Sequence, residues 1–483
     1  MTARLALIAL DVFNLVVLSY FVALNCIYLF TSIVAFRALK RYSRRLKSLD
    51  IRELIASAGA PPITIIVPAF DEELTCVDST KSLLALNYPQ YEIIVVNDGS
   101  GDTTLQRLQD AFDLSPVARL PTAELPTAKI RRTYRSRQYP NLWVVDKENG
   151  GKADSLNAGL NVCATPYFCA MDADTLLERE ALTRIVRPFL EDEKTVAAGG
   201  IIRIVNGCTV RSGVVTEVRL GNNYLARLQV LEYLRAFLAG RMGWSALDAT
   251  LIISGAFGLF RRSTVVDAGG FASEATSGRT VGEDMELVVR LHRHCRENKI
   301  PYRITFIPDP VAWTECPERF AALGRQRDRW QRGLAESLTR HMRMLFNPRY
   351  GRIGFLAFPH FFLLEMFGPV VEFSGYVVFA LTVLLGMASP LYVIAFFMVA
   401  FVFGTALSIA AVGLEELTFR RYPRFSDLMR LFGLAMLEHF GFRQLLTYWR
   451  VRGVISSWRR GKGWGEMRRR GFAVESGATS RST

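Results

Sequence analysis

Apolar residues in this chain follow two kinds of pattern. Between about residues 50 and 345, short apolar runs alternate with helix-like stretches: ITIIVPA (63–69), YEIIVVND (91–98), LWVVD (142–146) and YFCAMDAD (167–174). Such runs, separated by segments like Leu74–Leu86 and Thr103–Phe112, predict strands of a parallel sheet covered on both faces. The ligand site of such a sheet lies beyond the carboxyl ends of its strands, so the polar residues that end each run are the first candidates for chemistry. Ser115–Pro140 is proline-rich and without a period, and reads as a long surface loop between strands.

The second pattern is longer. Val12–Phe36 is 25 residues without a charge, and Phe373–Leu414 is 42. A helix rises about 1.5 Å per residue against a hydrocarbon core of about 30 Å, so the first block makes one span and the second makes two. GMASP (386–390) supplies the turn between those two. The first run is longer than the apolar core of a signal peptide and reads as an anchor. Leu428–Trp449 is apolar but holds Arg430, Glu438, His439 and Arg443, and reads as one amphipathic helix lying in the membrane interface. Residues 473–483 read as a disordered tail.

Half of the 483 residues are hydrophobic, yet the net charge is +14. Position decides what that charge means. Arg37–Lys47 holds six basic residues and no acid, Arg443–Arg470 holds nine and one acid, and outside these two segments the chain is formally neutral. Both segments adjoin apolar or amphipathic stretches, which is the positive-inside pattern with attraction to anionic lipid and not a nucleic-acid footprint. The same rule puts the basic segments and the α/β region on the cytoplasmic face and the N-terminus outside. Seven cysteines without CxxC pairing fit a reduced compartment with neither a disulfide frame nor a zinc site. Any metal is therefore expected on carboxylates.

Four features carry the candidate chemistry. Asp98 in NDGS follows the second strand, although Asp-Gly-Ser is also an ordinary turn. Asp172 and Asp174 end the strand YFCAM, and carboxylates two apart after a strand can approach one hard cation such as Mg²⁺ or Mn²⁺. ENGGKADSLNAG (148–159) supplies glycines, a lysine and a helix start, without the spacing of a phosphate-binding P-loop. GED (282–284) opens a helical stretch, where Asp284 suits either a plain helix N-cap or a general base.

As an ordered set, IVPAFDEE, NDGS, NGGKADSLNAG, DADT, SGAFG, GED, WTECP and QRDRW resemble the membrane-embedded, processive family 2 glycosyltransferases, from about Pro62 to Leu345 and more loosely to Phe472. That group includes the cellulose, chitin, hyaluronan and poly-N-acetylglucosamine synthases, and WTECP with RWQRG looks most like the last. The resemblance implies a cytoplasmic GT-A type α/β domain with a Rossmann-like mixed sheet, plus transmembrane and interface helices. It implies that Pro68, Ala69, Glu72 and Asp98 hold the uracil and ribose of a UDP-sugar, and that Lys152 and Asp172 lie near the nucleotide or diphosphate. It implies Asp174 on the cation, Asp284 as the base with Glu283 beside it, and Ser254, Gly255 and Trp330 on the acceptor side. Gln326 and Arg329 of the QxxRW set would engage the diphosphate, leaving Arg325, Arg327 and Arg332 to face lipid headgroups or solvent. Two departures stand out: Asp71-Glu72 replaces the usual Asn-Glu, and Gly282-Glu283-Asp284 replaces the usual Thr-Glu-Asp.

The expected organisation is an anchor and basic linker (1–50), the GT-A domain (51–317), QxxRW and interface helices (318–368), a transmembrane hairpin (369–414), an amphipathic basic region (415–472) and the tail. The implied activity is inverting, processive β-transfer from a UDP-sugar to a growing polysaccharide, exported across the plasma membrane, with room for an accessory membrane or export subunit. The alternative is transfer of one sugar onto a polyprenyl phosphate or other lipid. An inactive membrane scaffold is disfavoured, because every acidic position the chemistry requires is filled.

Overall fold

The computed structural model describes residues 2–48, 59–211, 213–422 and 424–458. The expected tail and the basic residues after 458 lie outside them.

The four apolar runs form strands β1 (Ile63–Ala69), β2 (Tyr91–Asn97), β5 (Leu142–Lys147) and β6 (Tyr167–Ala170), mutually parallel in the order β5-β2-β1-β6. Alternation along β1 sorts its side chains onto two faces. Ile63, Ile65 and Val67 join Ile93, Val95 and Val144 in one core, while Ile66 joins Ile94, Val96, Leu156 and Leu160 in the other. The sheet as a whole is mixed and ten-stranded. Strands β11 (Gly258–Arg261), β8 (Thr195–Ile204), β12 (Arg303–Thr314) and β7 (Thr175–Leu177) extend it past β6, with β11 and β7 antiparallel to their neighbours. A separate hairpin joins β9 (Thr209–Arg211) and β10 (Val214–Glu217).

Ser115–Pro140 is not one loop. It overlaps β3 (Leu114–Pro116) and contains β4 (Ile130–Ser136), which add an antiparallel edge beyond β5. The arginines at 131, 132 and 135 point outward from β4 while Thr133 and Tyr134 are buried, so an edge strand with a charged outer face replaces the expected loop.

Among the described residues, three helices are long and apolar enough to cross a membrane: Ile8–Leu46, Ile353–Leu384 and Pro390–Thr418. Val17 and Phe21 of the first pack on Phe396 and Ala400 of the third. Leu428–Trp449 is not one helix either: Phe425–Leu437 and Phe442–Trp458 are separated by a break at Gly441, whose φ of 93° is left-handed and open to glycine at no steric cost.

The helix Lys152–Val162 covers β1 with Gly159 in contact, since a Cβ there would lie 2.4 Å from Ile66 Cγ2. Gly159→Ala is expected to push this helix off the sheet and destabilise the domain by about 1–3 kcal/mol. The readout is thermal unfolding of the purified full chain, and an unchanged melting temperature would show that the contact relaxes freely.

Candidate active site

The site is assembled at the carboxyl ends of β1, β2, β5 and β6. β1 ends at Pro68-Ala69, and the Ala69 carbonyl accepts a hydrogen bond from Asp98 N at 2.9 Å. Asp71 follows with φ 53°, and its carboxylate accepts from Gly101 N at 2.8 Å. Asp and Asn both tolerate this left-handed backbone, which explains why Asp71 can stand where Asn is usual. The Glu72 carboxylate accepts from the Thr75 hydroxyl at 2.6 Å, at the start of the helix Cys76–Leu84.

Asp98 is buried. Its carboxylate accepts from Lys147 Nζ at 2.6 Å, Gly150 N at 3.0 Å and Gly151 N at 2.8 Å. Lys147 also pairs with Asp154 at 2.7 Å. These bonds pin the Gly150-Gly151 turn, so the next residue, Lys152, opens its helix facing the end of β6. Lys147 and Asp154 were not singled out from sequence. The available signal was a lysine directly ending an apolar strand and an acid two residues into the following helix.

The Lys152 ammonium lies 2.5 Å from Asp172 Oδ1 and 2.9 Å from Glu283 Oε1. Burial works against its charge, but Asp172, Glu283 and Asp284 hold it above the usual lysine value. Burial pushes the Glu283 carboxyl above the usual carboxylate range, Lys152 opposing. Asp284 does not cap its helix: Gly282 occupies that position, and Asp284 stands in the first turn of Glu283–Glu297. Its Oδ2 accepts from Gly255 N at 2.9 Å and its Oδ1 from Met285 N at 2.8 Å. A Cβ on Gly255 would meet Lys152 Nζ at 2.8 Å, so a side chain there would require the end of the lysine to shift. Lys152, Ser254, Gly255, Glu283 and Asp284 line one small cleft.

Gln326, Arg329 and Trp330 lie on the helix Phe320–Arg340. That helix touches the site through glycine: a Cβ on Gly282 would lie 2.8 Å from Gly333 Cα, and the reverse holds for Gly333. The threonine usual at this position would not fit. Gln326 is buried and its Oε1 accepts from Arg327 at 3.3 Å, Arg329 is half-buried, and Trp330 is 39% exposed. Arg327 and Arg332 do not face lipid or solvent. Both are buried, and Arg327 pairs with Glu232 at 2.7 Å, so this face of the helix is turned into the protein; Arg325 is exposed as expected. Lys152, Asp172, Ser254, Gly255, Glu283 and Asp284 thus converge, Pro68, Ala69, Glu72 and Asp98 occupy the adjoining strand ends, and Trp330 is carried on the helix that meets Gly282.

A mixed sheet of this order, with paired acids beyond its central strand ends, defines the class: a GT-A type α/β domain joined to a helical region. The model of the family described as Glycosyltransferase like family 2 matches residues 61–333, more than half of the chain, and the chain belongs to that family. It is 28% identical over 279 residues to the poly-beta-1,6-N-acetyl-D-glucosamine synthase of Staphylococcus aureus (strain COL), covering 58% of this chain and 56% of the relative. It is 27% identical, with the same coverage, to that of Staphylococcus epidermidis. The match thus spans about half the length of these curated relatives. Among solved structures it is similar to the mannosyltransferase PcManGT from Pyrobaculum calidifontis in complex with GDP-Man and Mn²⁺, with TM-score 0.48, 17% identity and coverage of 91% of this chain and 100% of that one. It is also similar to glucosyl-3-phosphoglycerate synthase from Mycobacterium tuberculosis, with TM-score 0.36, 18% identity and coverage of 62% and 83%.

Lys152→Met leaves Glu283 buried without its cation, a loss on the order of 3 kcal/mol. A carboxyl raised above its unfolded value of about 4.5 favours the folded state at low pH and loses that contribution as pH rises. The melting-temperature deficit of K152M is therefore expected to be larger at pH 8 than at pH 5. An equal deficit at both would remove Glu283 from this account.

Proposed function

We propose that the protein is an inverting, processive β-glycosyltransferase that polymerises a sugar from a UDP-sugar donor, UDP-N-acetylglucosamine first among candidates. The observation that carries this reading is the Asp284 carboxylate, oriented by two backbone N–H groups beside the Lys152–Asp172 pair. The N-terminal turn of a 15-residue helix favours the anion that a general base must be. Asp284 takes the proton from an acceptor hydroxyl, the oxygen forms a bond to C1 of the donor sugar, and the C1–O bond to the diphosphate breaks with inversion. The departing UDP gains negative charge, which Arg329 and Lys152 are assigned to stabilise. Pro68, Ala69, Glu72 and Asp98 are assigned to the nucleotide side, Gln326 to the diphosphate, and Ser254, Gly255 and Trp330 to the acceptor.

Asp172 and Asp174 suit Mg²⁺ or Mn²⁺ as a donor set: both are half-buried at the end of β6 and offer only hard oxygens. Among the described residues no group of three or more His, Cys, Asp or Glu is gathered as a metal centre, so diphosphate oxygens and water are assigned the remaining positions. A cation there would supply charge neutralisation of the leaving group. The three apolar helices and the basic segments support a multi-pass protein of the plasma membrane with its α/β domain cytoplasmic, its N-terminus outside and its polymer exported.

Purified protein given a panel of UDP-sugars with Mg²⁺ or Mn²⁺ is expected to release UDP from one of them and to form long polymer, and chelation is expected to abolish both. A single-sugar lipid product would instead establish the non-processive alternative. Asp284→Asn is expected to abolish transfer while UDP affinity stays within about twofold. Transfer at the normal rate by D284N would exclude Asp284 as the base.

A further inference from the structure

The helix that carries Asp284 begins without a side-chain cap, because Gly282 stands at the capping position and has no side chain to offer. The turn before it is held from outside, by Glu336 on the helix Phe320–Arg340. One oxygen of that carboxylate, Oε2, accepts from the Thr280 hydroxyl at 2.8 Å and from Val281 N at 3.1 Å. Thr280 is buried, and its Oγ1 accepts in turn from Gly282 N at 3.2 Å. An ionised carboxylate only accepts, so the hydroxyl gives its proton to Glu336 and keeps its lone pairs for Gly282. Hydrogen bonds to an ionised acceptor are the strong ones. A single side chain thereby fixes residues 280 to 282, directly ahead of Glu283 and Asp284.

Glu336 differs from the other acid at this contact between helices. Glu286, past Asp284 on the same helix, pairs with Arg290 at 2.9 Å and with His341 at 3.2 Å. The donors to the Glu336 carboxylate are instead the hydroxyl and backbone of the turn itself. Along its own helix Glu336 stands three residues after Gly333 and seven after Arg329, spacings that keep all three on one face. The face that grips the turn of the proposed base therefore also carries the arginine assigned to the leaving diphosphate. Gln331, on a different face, donates to the Glu365 carbonyl at 2.9 Å and holds the helix from its other side. Loss of the Glu336 carboxylate therefore frees the turn and leaves the helix in place.

We propose that Glu336 is a positioning residue for the transfer step: it fixes the turn 280–282 so that the Asp284 carboxylate is aimed at the acceptor hydroxyl, in set relation to Arg329. This rests on the glycosyltransferase reading above. In a single displacement the incoming oxygen and the departing diphosphate must be aligned, and a misplacement of about 1 Å costs on the order of a hundredfold in rate. Donor binding is ordered separately, since Asp98 and Lys152 are set by Lys147 and the Gly150-Gly151 turn.

The test uses the full chain in lipid nanodiscs, with the UDP-sugar that gives the fastest UDP release in the panel, and measures kcat and donor KM. Glu336→Ala is expected to lower kcat about tenfold or more while the donor KM stays within about twofold. Glu336→Gln keeps an oxygen that accepts both bonds, and its kcat is expected within about threefold of wild type. A kcat for E336A within about twofold of wild type overturns the proposal. An E336A that loses kcat and raises KM alike overturns it too, because that is the mark of a loosened domain. E336Q as slow as E336A also overturns it. If E336A does not accumulate, Thr280→Val decides, since it removes the hydroxyl link and leaves Glu336 in place: a kcat lowered about threefold or more at unchanged KM supports the proposal, and an unchanged kcat overturns it. Wild-type protein that releases UDP from no sugar donor overturns the glycosyltransferase reading itself, and the role of Glu336 with it.

Discussion

Lys147 is fully buried between two acids, 2.6 Å from Asp98 and 2.7 Å from Asp154, and the rest of the site hangs on that triad. A charge taken out of water persists only when it is paired and hydrogen-bonded, so the three groups hold one another in one geometry. Asp98 comes from the end of β2, Lys147 from the end of β5 and Asp154 from the helix that follows. The end of β2 is thereby locked to β5 and the helix after it, at the carboxyl ends of the strands. The two backbone N–H bonds that Asp98 also accepts set the Gly150-Gly151 turn, and the turn sets the direction of Lys152. Asp98 thus has a demonstrable role in ordering the site before any ligand is considered.

The parallel centre of the sheet was legible because β1, β2, β5 and β6 are buried on both faces and so read as unbroken apolar runs. Their polar ends located Asp98, Asp172 and Asp174 without reference to three dimensions. The edge was not legible. In β4 the arginines at 131, 132 and 135 are solvated and only part of the strand is buried, so its pattern resembles a charged loop. Leu428–Trp449 reads as a single helical stretch because the apolar period runs across the break, and one glycine at 441 is too weak a signal to divide it. The triad escaped as well: a lysine directly after an apolar strand reads as solvent-facing unless the acid at 154 is read together with it.

Burial of charge also joins the α/β domain to the apolar helices. Arg203 on β8 pairs with Glu415 of the third apolar helix at 2.8 Å, with both side chains under 5% exposed. Arg235 in the π-helical segment Leu234–Gly240 pairs with Glu438 at 2.5 Å. Behind Trp330, Gln331 donates to the Glu365 carbonyl at 2.9 Å, and Arg450 bonds Gln331 at 2.9 Å and the Glu365 carboxylate at 2.8 Å. Removing either partner of the Arg203–Glu415 pair would strand a buried charge, and the Gln331, Arg450 and Glu365 bonds tie the helix Phe320–Arg340 to the apolar helices, so these parts are expected to behave mechanically as one unit.

The segment RQRDRWQRG (325–333) shows how such a junction is encoded. Its arginines invite a reading as a patch against lipid headgroups, yet Arg327 and Arg332 are inside and only Arg325 is plainly solvated. Residues 326, 329, 330 and 333 follow the i, i+3, i+4, i+7 spacing of one helix face, along which Gln326 is buried, Trp330 is partly exposed and Gly333 is set against Gly282. The close Gly282–Gly333 approach accounts for one departure from the usual pattern, the glycine at 282. A glycine before Glu283-Asp284 is required because the arginine-rich helix crosses there backbone to backbone, and that crossing brings the helix bearing Trp330 up to the turn that carries Asp284. The replacement of the usual threonine is then a consequence of how tightly this chain draws these two helices together.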